Sequence, residues 1–222
     1  MPLTIRKSGR LEDPGAELLA KGAAFWERYG RIALGVLAAL AAAAAITFVT
    51  MRSRASAEEQ AAGRLAEANV LYWQGEYPRS LELSRQISQQ YPTTPSGIDA
   101  HRLAGDNAYW NGDFKTAVTE YRTYLDRQKK GVLAEGVRRG LAYALESSRQ
   151  FAEAASAYEA LVGRFDRESS GELLAAAARC YRAANRRADA LRCLQRLVDE
   201  FGETGSAVMA RTELAELSAA PR

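Results

Sequence analysis

The aromatic residues Tyr77, Phe114 and Phe151 stand 37 positions apart, each three residues ahead of a small side chain: Ser80, Ala117 and Ala154. A period of about 34 to 40 residues is the mark of stacked helical hairpins, none of which can bury its apolar face alone. The fuller pattern is a small residue, an apolar one three later, a Gly-x-aromatic step, a second small residue and two large apolar ones at helical spacing. It reads Ala68, Leu71, Gly75, Tyr77, Ser80, Ile87 and Tyr91, and then Gly105, Ala108, Gly112, Phe114, Ala117, Tyr121 and Tyr124. A third copy reads Ala142, Leu145, Phe151, Ala154, Tyr158, Leu161 and Phe165. The fourth, one residue shorter, reads Ala178, Tyr181, Ala190, Leu194, Leu197 and Phe201. Two antiparallel helices approach closely only where side chains are small, and large residues then fill the space on either side.

The pattern resembles the tetratricopeptide repeat family over about residues 57–220. That resemblance implies an all-α fold, a right-handed superhelical solenoid of about four helical hairpins plus a capping helix, here preceded by a single transmembrane helix. The expected repeats are 61–95, 98–130, 133–168 and 171–203, with the cap at 204–220. The chain departs from the family signature where Arg64, His101, Arg138 and Leu174 replace an early Trp, and only Pro92 supplies the closing proline. Glu67 and Ser84 in the first repeat and Arg187 in the fourth mark those two as the less regular, terminal ones. Pro78 suits a first helical turn, and Gly112-Asp113, Gly131 and Gly171 read as breaks.

From Ile32 to Met51 the chain carries twenty residues without a charge, enough at about 1.5 Å each to cross a hydrocarbon core of roughly 30 Å. Eight are alanine, so the apolar drive comes from Ile32, Leu34, Val36, Leu37, Leu40, Ile46, Phe48 and Val49. Two other readings stand beside a membrane anchor: a buried alanine-rich core helix, and a signal peptide cleaved near Ala55-Ser56-Ala57. Arg52, Arg54 and the length of the apolar run favour the uncleaved anchor. The leader 1–31 holds Arg6, Lys7, Arg10, Lys21, Arg28 and Arg31 against Arg52, Arg54 and Arg64 after the span, which favours a cytoplasmic N-terminus. Within twenty residues of each end the count is a tie. Trp26 and Tyr29 have the character of interfacial anchors on a short helix after Asp13-Pro14. No proline lies between Ile32 and Gln74, so the span can run on as helix into the first repeat and would then fix the solenoid rigidly above the bilayer.

The run Phe25-Trp26-Glu27-Arg28-Tyr29-Gly30-Arg31, followed by the span and a repeat region, resembles the single-span YfgM-type family of ancillary Sec translocon subunits. It implies a bacterial inner-membrane protein with a periplasmic repeat domain, 52–222, that contacts secreted clients and chaperones. The stretch from Tyr91-Pro92 to Phe114 is similar to the periplasmic assembly lipoproteins of the BamD type, although no lipobox cysteine stands near the N-terminus. A structural subunit of an envelope or division complex with one fixed partner is the alternative.

Charge and side-chain repertoire favour protein binding over chemistry. The leader holds six basic and four acidic residues and the remainder 24 and 23, so the basic pI does not signal a nucleic-acid binder. One histidine, His101, two cysteines and no phosphate-cradling glycine loop leave no metal, cofactor or small-molecule substrate to expect, and no enzyme. Glu58, Glu59, Glu153, Glu159, Asp199 and Glu200 fall at solvated positions. Cys180 and Cys193 share the fourth hairpin; Cys193 lies off the stripe of Ala190, Leu194 and Leu197, which favours free thiols over a disulfide.

The concave face of such a stack is lined by the leading helix of each repeat. Positions three before, one after and four after the small packing residue should reach it. They hold Leu65, Asn69 and Tyr72, then Arg102, Asp106 and Tyr109, then Arg139, Tyr143 and Glu146, then Ala175, Arg179 and Arg182. Asn69, Tyr72, Arg102, Asp106, Tyr109, Arg139, Tyr143, Arg179 and Arg182 are therefore the candidate partner-binding residues; the competing role for them is to bridge neighbouring leading helices. The topology is checked by reporter fusions after Arg222. They should be active only in a form that works outside the cytoplasm, and cytoplasmic activity would reverse the orientation.

Overall fold

The computed structural model describes residues 14–219; Arg6, Lys7 and Arg10 of the leader and the last residue of the expected cap, Ala220, lie outside them. Every regular element among the described residues is helical: α1 (Pro14–Trp73), α2 (Tyr77–Gln90), α3 (Pro95–Trp110), α4 (Phe114–Arg127), α5 (Val132–Ser147), α6 (Phe151–Glu159), α7 (Arg167–Ala183), α8 (Arg187–Glu200) and α9 (Gly205–Ala219). The chain divides into two compact units, before and after the Arg54–Ala55 bond.

The first unit is helical throughout its described part. Its alanines have the highest helix propensity of any residue, and Thr47 donates its hydroxyl to the Ala43 carbonyl at 2.8 Å, so that no polar group is left bare on an apolar helix. The uncharged stretch is long and apolar enough to cross a membrane, and none of its most apolar window is buried by the rest of the chain. Ile32, Leu37, Ile46 and Phe48 all stand exposed.

In the second unit the end of α1 pairs with α2, α3 with α4, α5 with α6, and α7 with α8, while α9 lies against α7 and α8. Helix starts follow local chemistry. Thr94 caps α3 by accepting from Gly97 N at 3.0 Å, with Pro95 in the first turn. Asp113 caps α4 and Asp166 caps α7 in the same way, through Thr116 N and Ser169 N.

The four leading helices share one ending. Gly75, Gly112, Arg149 and Asn185 all take positive φ (79°, 80°, 62° and 59°). In each, the next residue donates back across the turn: Glu76 to Leu71 O, Asp113 to Ala108 O, Gln150 to Leu145 O and Arg186 to Tyr181 O, at 2.8–3.0 Å. This is a left-handed helix cap that glycine adopts without a Cβ penalty. The third and fourth hairpins make it with a side chain present.

Packing follows the small-against-large logic. A Cβ on Gly105 would come within 2.5 Å of the Tyr121 ring, so that position must lack a side chain for Tyr121 to fit, and one on Gly140 would come within 3.1 Å, a tight contact on the α5 side. Three expectations are corrected. Gly171 is not a break but a close contact inside α7, where a Cβ would meet Thr204 Oγ1 and Ser206 Oγ at 2.8 Å. Cys193 is fully buried, because Ala190, Cys193, Leu194 and Leu197 form one stripe at i, i+3, i+4 and i+7. The irregular trailing helix belongs to the third hairpin: α6 ends at Glu159, and residues 160–164 continue as turns around Gly163, φ 80°.

Both cysteines are free and buried. Burial, with Glu146 beside Cys180 and Glu159 beside Cys193, pushes each thiol up to about 12, so neither is a thiolate near neutral pH. The cap geometry gives opposite signs for two substitutions in unfolding experiments on the detergent-solubilised chain. Gly112→Ala should cost about 1 kcal/mol and Arg149→Gly should gain about 0.5 kcal/mol; equal effects would mean that the cap conformation is not strained.

Candidate partner-binding groove

The nine candidate residues lie on the leading helices but are not equally available. Asn69 is half-buried, and its Nδ2 donates to Leu65 O at 2.8 Å, within its own helix. Tyr72 lies edge-on to Trp73 and Tyr77, with ring centroids 5.2 and 5.7 Å away. Burial and the neighbouring Asp106 carboxylate raise its phenol above the usual range.

Arg102 is held on both sides. Its Nε and Nη2 donate to Asp99 at 2.7 and 2.9 Å and its Nη1 to Asp106 at 2.8 Å. Asp106 also accepts from the Tyr121 hydroxyl at 2.7 Å; burial lifts its pKa, against the pull of Tyr121 and Arg102. Tyr109 packs edge-on against Trp110 and Phe114.

In the second half of the stack, Arg179 makes two bonds to Glu146, at 2.9 and 3.1 Å, and the Tyr158 hydroxyl donates to the same carboxylate at 2.6 Å. Burial alone would raise Glu146, but Arg179 and Tyr158 outweigh it and hold the carboxyl below its usual range. Arg182 pairs with Glu213 of α9. Arg139 is exposed and lies over the Phe165 ring at 5.1 Å; it is the one candidate arginine without a carboxylate partner among the described residues. Tyr143 remains 43% exposed beside Tyr158.

The face therefore carries less free positive charge than a count of arginines suggests, because Asp99, Asp106, Glu146 and Glu213 compensate it. Other carboxylates read as solvated also have structural partners. Glu58 accepts from Ser96 N and Oγ at the start of α3. Glu159 takes the Tyr181 hydroxyl and two Arg192 bonds, and Arg192 above all holds it below its usual range. His101 bonds Glu120 at 2.8 Å, and Arg85 meets the same carboxylate. No cluster of metal-binding type occurs among the described residues.

Two features escaped the sequence reading. Trp73 and Trp110, 37 residues apart, stand 81% and 60% exposed, and the Trp110 ring stacks on Tyr77 at 6.4 Å. Their spacing is the repeat period, which was the available signal. The second is a cavity of about 570 Å³ lined by Leu65, Pro95, Ile98, Tyr124, Val132 and Leu133, with Asp99 and Lys130 also in its lining. Leu65, expected in the open groove, is largely buried at its wall. Val132 and Leu133 are exposed because α5 begins there directly after Gly131.

A tetratricopeptide repeat model matches residues 176–204, the hairpin whose Arg187 had marked it as irregular. Two crystal structures share the fold: a Podosopora anserina putative kinesin light chain with nearly identical TPR-like repeats, and a single-residue variant of the same protein. Each is 20% identical, with a TM-score of 0.55, over 72% of this chain and 86% and 85% of theirs. No curated protein matches significantly. The chain thus shares its fold with solenoids of TPR-like repeats.

Removing Arg102 leaves Asp99 and the half-buried Asp106 side by side without their counter-charge, whereas Arg139 touches the Phe165 ring and neutralises no acid among the described residues. Arg102→Ala should cost about 1–3 kcal/mol in thermal or denaturant unfolding, and Arg139→Ala should stay within about 0.5 kcal/mol. Equal costs would show that the Asp99–Arg102–Asp106 cluster is not structural.

Proposed function

We propose that the chain is a membrane-anchored scaffold that holds protein partners against the leading-helix face of its repeats. The observation that carries this reading is the pairing of exposed aromatic side chains, Trp73, Trp110 and Tyr143, with an open apolar cavity on one repeat unit. Large aromatic groups and fillable apolar pockets are what protein interfaces use as anchors. The solenoid fold supports the same class of role, since stacked hairpins expose extended surfaces.

The anchor is the apolar stretch of α1, with the leader in the cytoplasm and the repeats outside it. The juxtamembrane run Phe25–Arg31 supports a site of action in the bacterial inner membrane, near the Sec translocon, with secreted clients or their chaperones as partners. A photoreactive residue at Trp110 or at Leu133 should crosslink envelope or translocon proteins in intact cells, and one at Thr119, on the outer side of α4, should not. Crosslinks from Thr119 alone would move the interface to the trailing helices.

A further inference from the structure

Ahead of the uncharged stretch, α1 carries a second apolar feature with a different geometry. At 3.6 residues per turn, Leu18, Leu19, Gly22, Phe25, Trp26 and Tyr29 fall within about 120° of arc, and Glu17, Lys21, Glu27, Arg28 and Arg31 fall within about 120° on the opposite side. The apolar arc has no cover within the described chain: Leu18, Leu19, Phe25 and Trp26 are 71%, 77%, 58% and 55% exposed. It is internally ordered, because Phe25 and Tyr29 pack with centroids 5.2 Å apart and the Trp26 indole lies where a Cβ on Gly30 would come within 3.3 Å. On the other arc Lys21 pairs with Glu17 at 2.8 Å, and Arg28 reaches over the Tyr29 ring.

We infer that residues 14–31 lie in the plane of the bilayer surface, with this apolar arc sunk among lipid headgroups and the charged arc facing water. The inference rests on the membrane-anchored reading and adds a second lipid contact to it. A lipid surface is the occupant because the arc is continuous with the apolar stretch, which begins at Ile32 one residue beyond Arg31. Its composition also fits: Trp26 and Tyr29 are the residue types that settle at the headgroup level, and Lys21, Arg28 and Arg31 outnumber Glu17 and Glu27, which suits anionic lipid. α1 runs unbroken through Gly30 in this structure, so the in-plane placement requires a bend at the junction with the span, where Gly30 offers the least side-chain obstruction. An upright helix would instead carry Leu19 about 20 Å beyond Ile32, past the headgroups and into water.

That difference sets the test. The full-length chain is reconstituted into vesicles of phosphatidylcholine and phosphatidylglycerol whose acyl chains carry bromine either near the headgroup or near the middle. Two proteins are compared in a Trp26→Phe background, Leu19→Trp on the apolar arc and Ala20→Trp on the charged one. Headgroup-proximal bromine should remove up to about a third of the emission of the Leu19→Trp protein, one of its three tryptophans, and little from Ala20→Trp. Stronger quenching by mid-chain bromine, or equal quenching of the two, overturns the in-plane helix. An unquenched but blue-shifted Leu19→Trp emission assigns the arc to a second copy of the chain and overturns it as well. Alkaline extraction separates the two failures: a chain that stays with the vesicles keeps its anchor and loses only this inference, while a released chain loses both.

Discussion

Tyr121 sits between two leading helices, its ring occupying space that a methyl group on Gly105 would take and lying in tight reach of Gly140. The interlock is geometric before it is energetic, because packing density in protein interiors leaves no room for a one-methyl error. Burying a ring of that size is worth about 1.5–3 kcal/mol in transfer free energy. Its larger effect is on register, since it fixes how far α3 and α5 stand apart. Tyr158 and Tyr181 are likewise buried in the third and fourth hairpins.

Each of these rings carries a hydroxyl that needs a partner once buried. Tyr121 finds Asp106, Tyr158 finds Glu146 and Tyr181 finds Glu159. Carboxylates drawn inward in this way then hold arginines: Arg102, Arg179 and Arg192 respectively. The electrostatics of the leading-helix face are thus a by-product of core packing, and what remains open for recognition is mainly aromatic and apolar. Salt would weaken contacts made by Arg139 more than those made by Trp110.

The sequence displayed its architecture because packing constraints repeat. Small residues at Ala68, Gly105, Ala142 and Ala178, with Tyr121 and Tyr158 opposite the middle two, recur at the period of a stack of helical hairpins. It displayed less of the groove, because side-chain pairing depends on partners some thirty residues away: Arg179 and Glu146 are separated by 33 positions, Arg182 and Glu213 by 31. Arg149 concealed a helix cap, since glycine or asparagine, as at Asn185, signals a left-handed turn and an arginine does not. The cavity beside Leu65 was invisible for a related reason, being assembled from three hairpins. Ser84 was legible as a weak point of the first repeat, and it lies fully buried with no hydrogen-bond partner for its hydroxyl among the described residues.

That serine belongs to a seam. The apolar core is not continuous: Ala61, Leu65, Ala68, Ile87, Tyr91, Ala100 and Leu103 form one cluster, and a second runs from Leu81, Ala104 and Ala108 through the later hairpins to α9, so that the divide crosses α2 and α3. Near the boundary stand the buried polar residues Ser80, Ser84 and Asn107; Ser80 donates to the Ala68 carbonyl and Asn107 donates to Ser80. Polar contacts of this kind hold by short-range geometry, so they rupture over a small extension, whereas apolar contact area is lost gradually. The first hairpin is also the one through which the chain arrives from its N-terminal unit. A pull arriving there would meet the broad α2–α3 contact, and because the divide in the core crosses both of these helices it would load the first two hairpins together instead of peeling away the first.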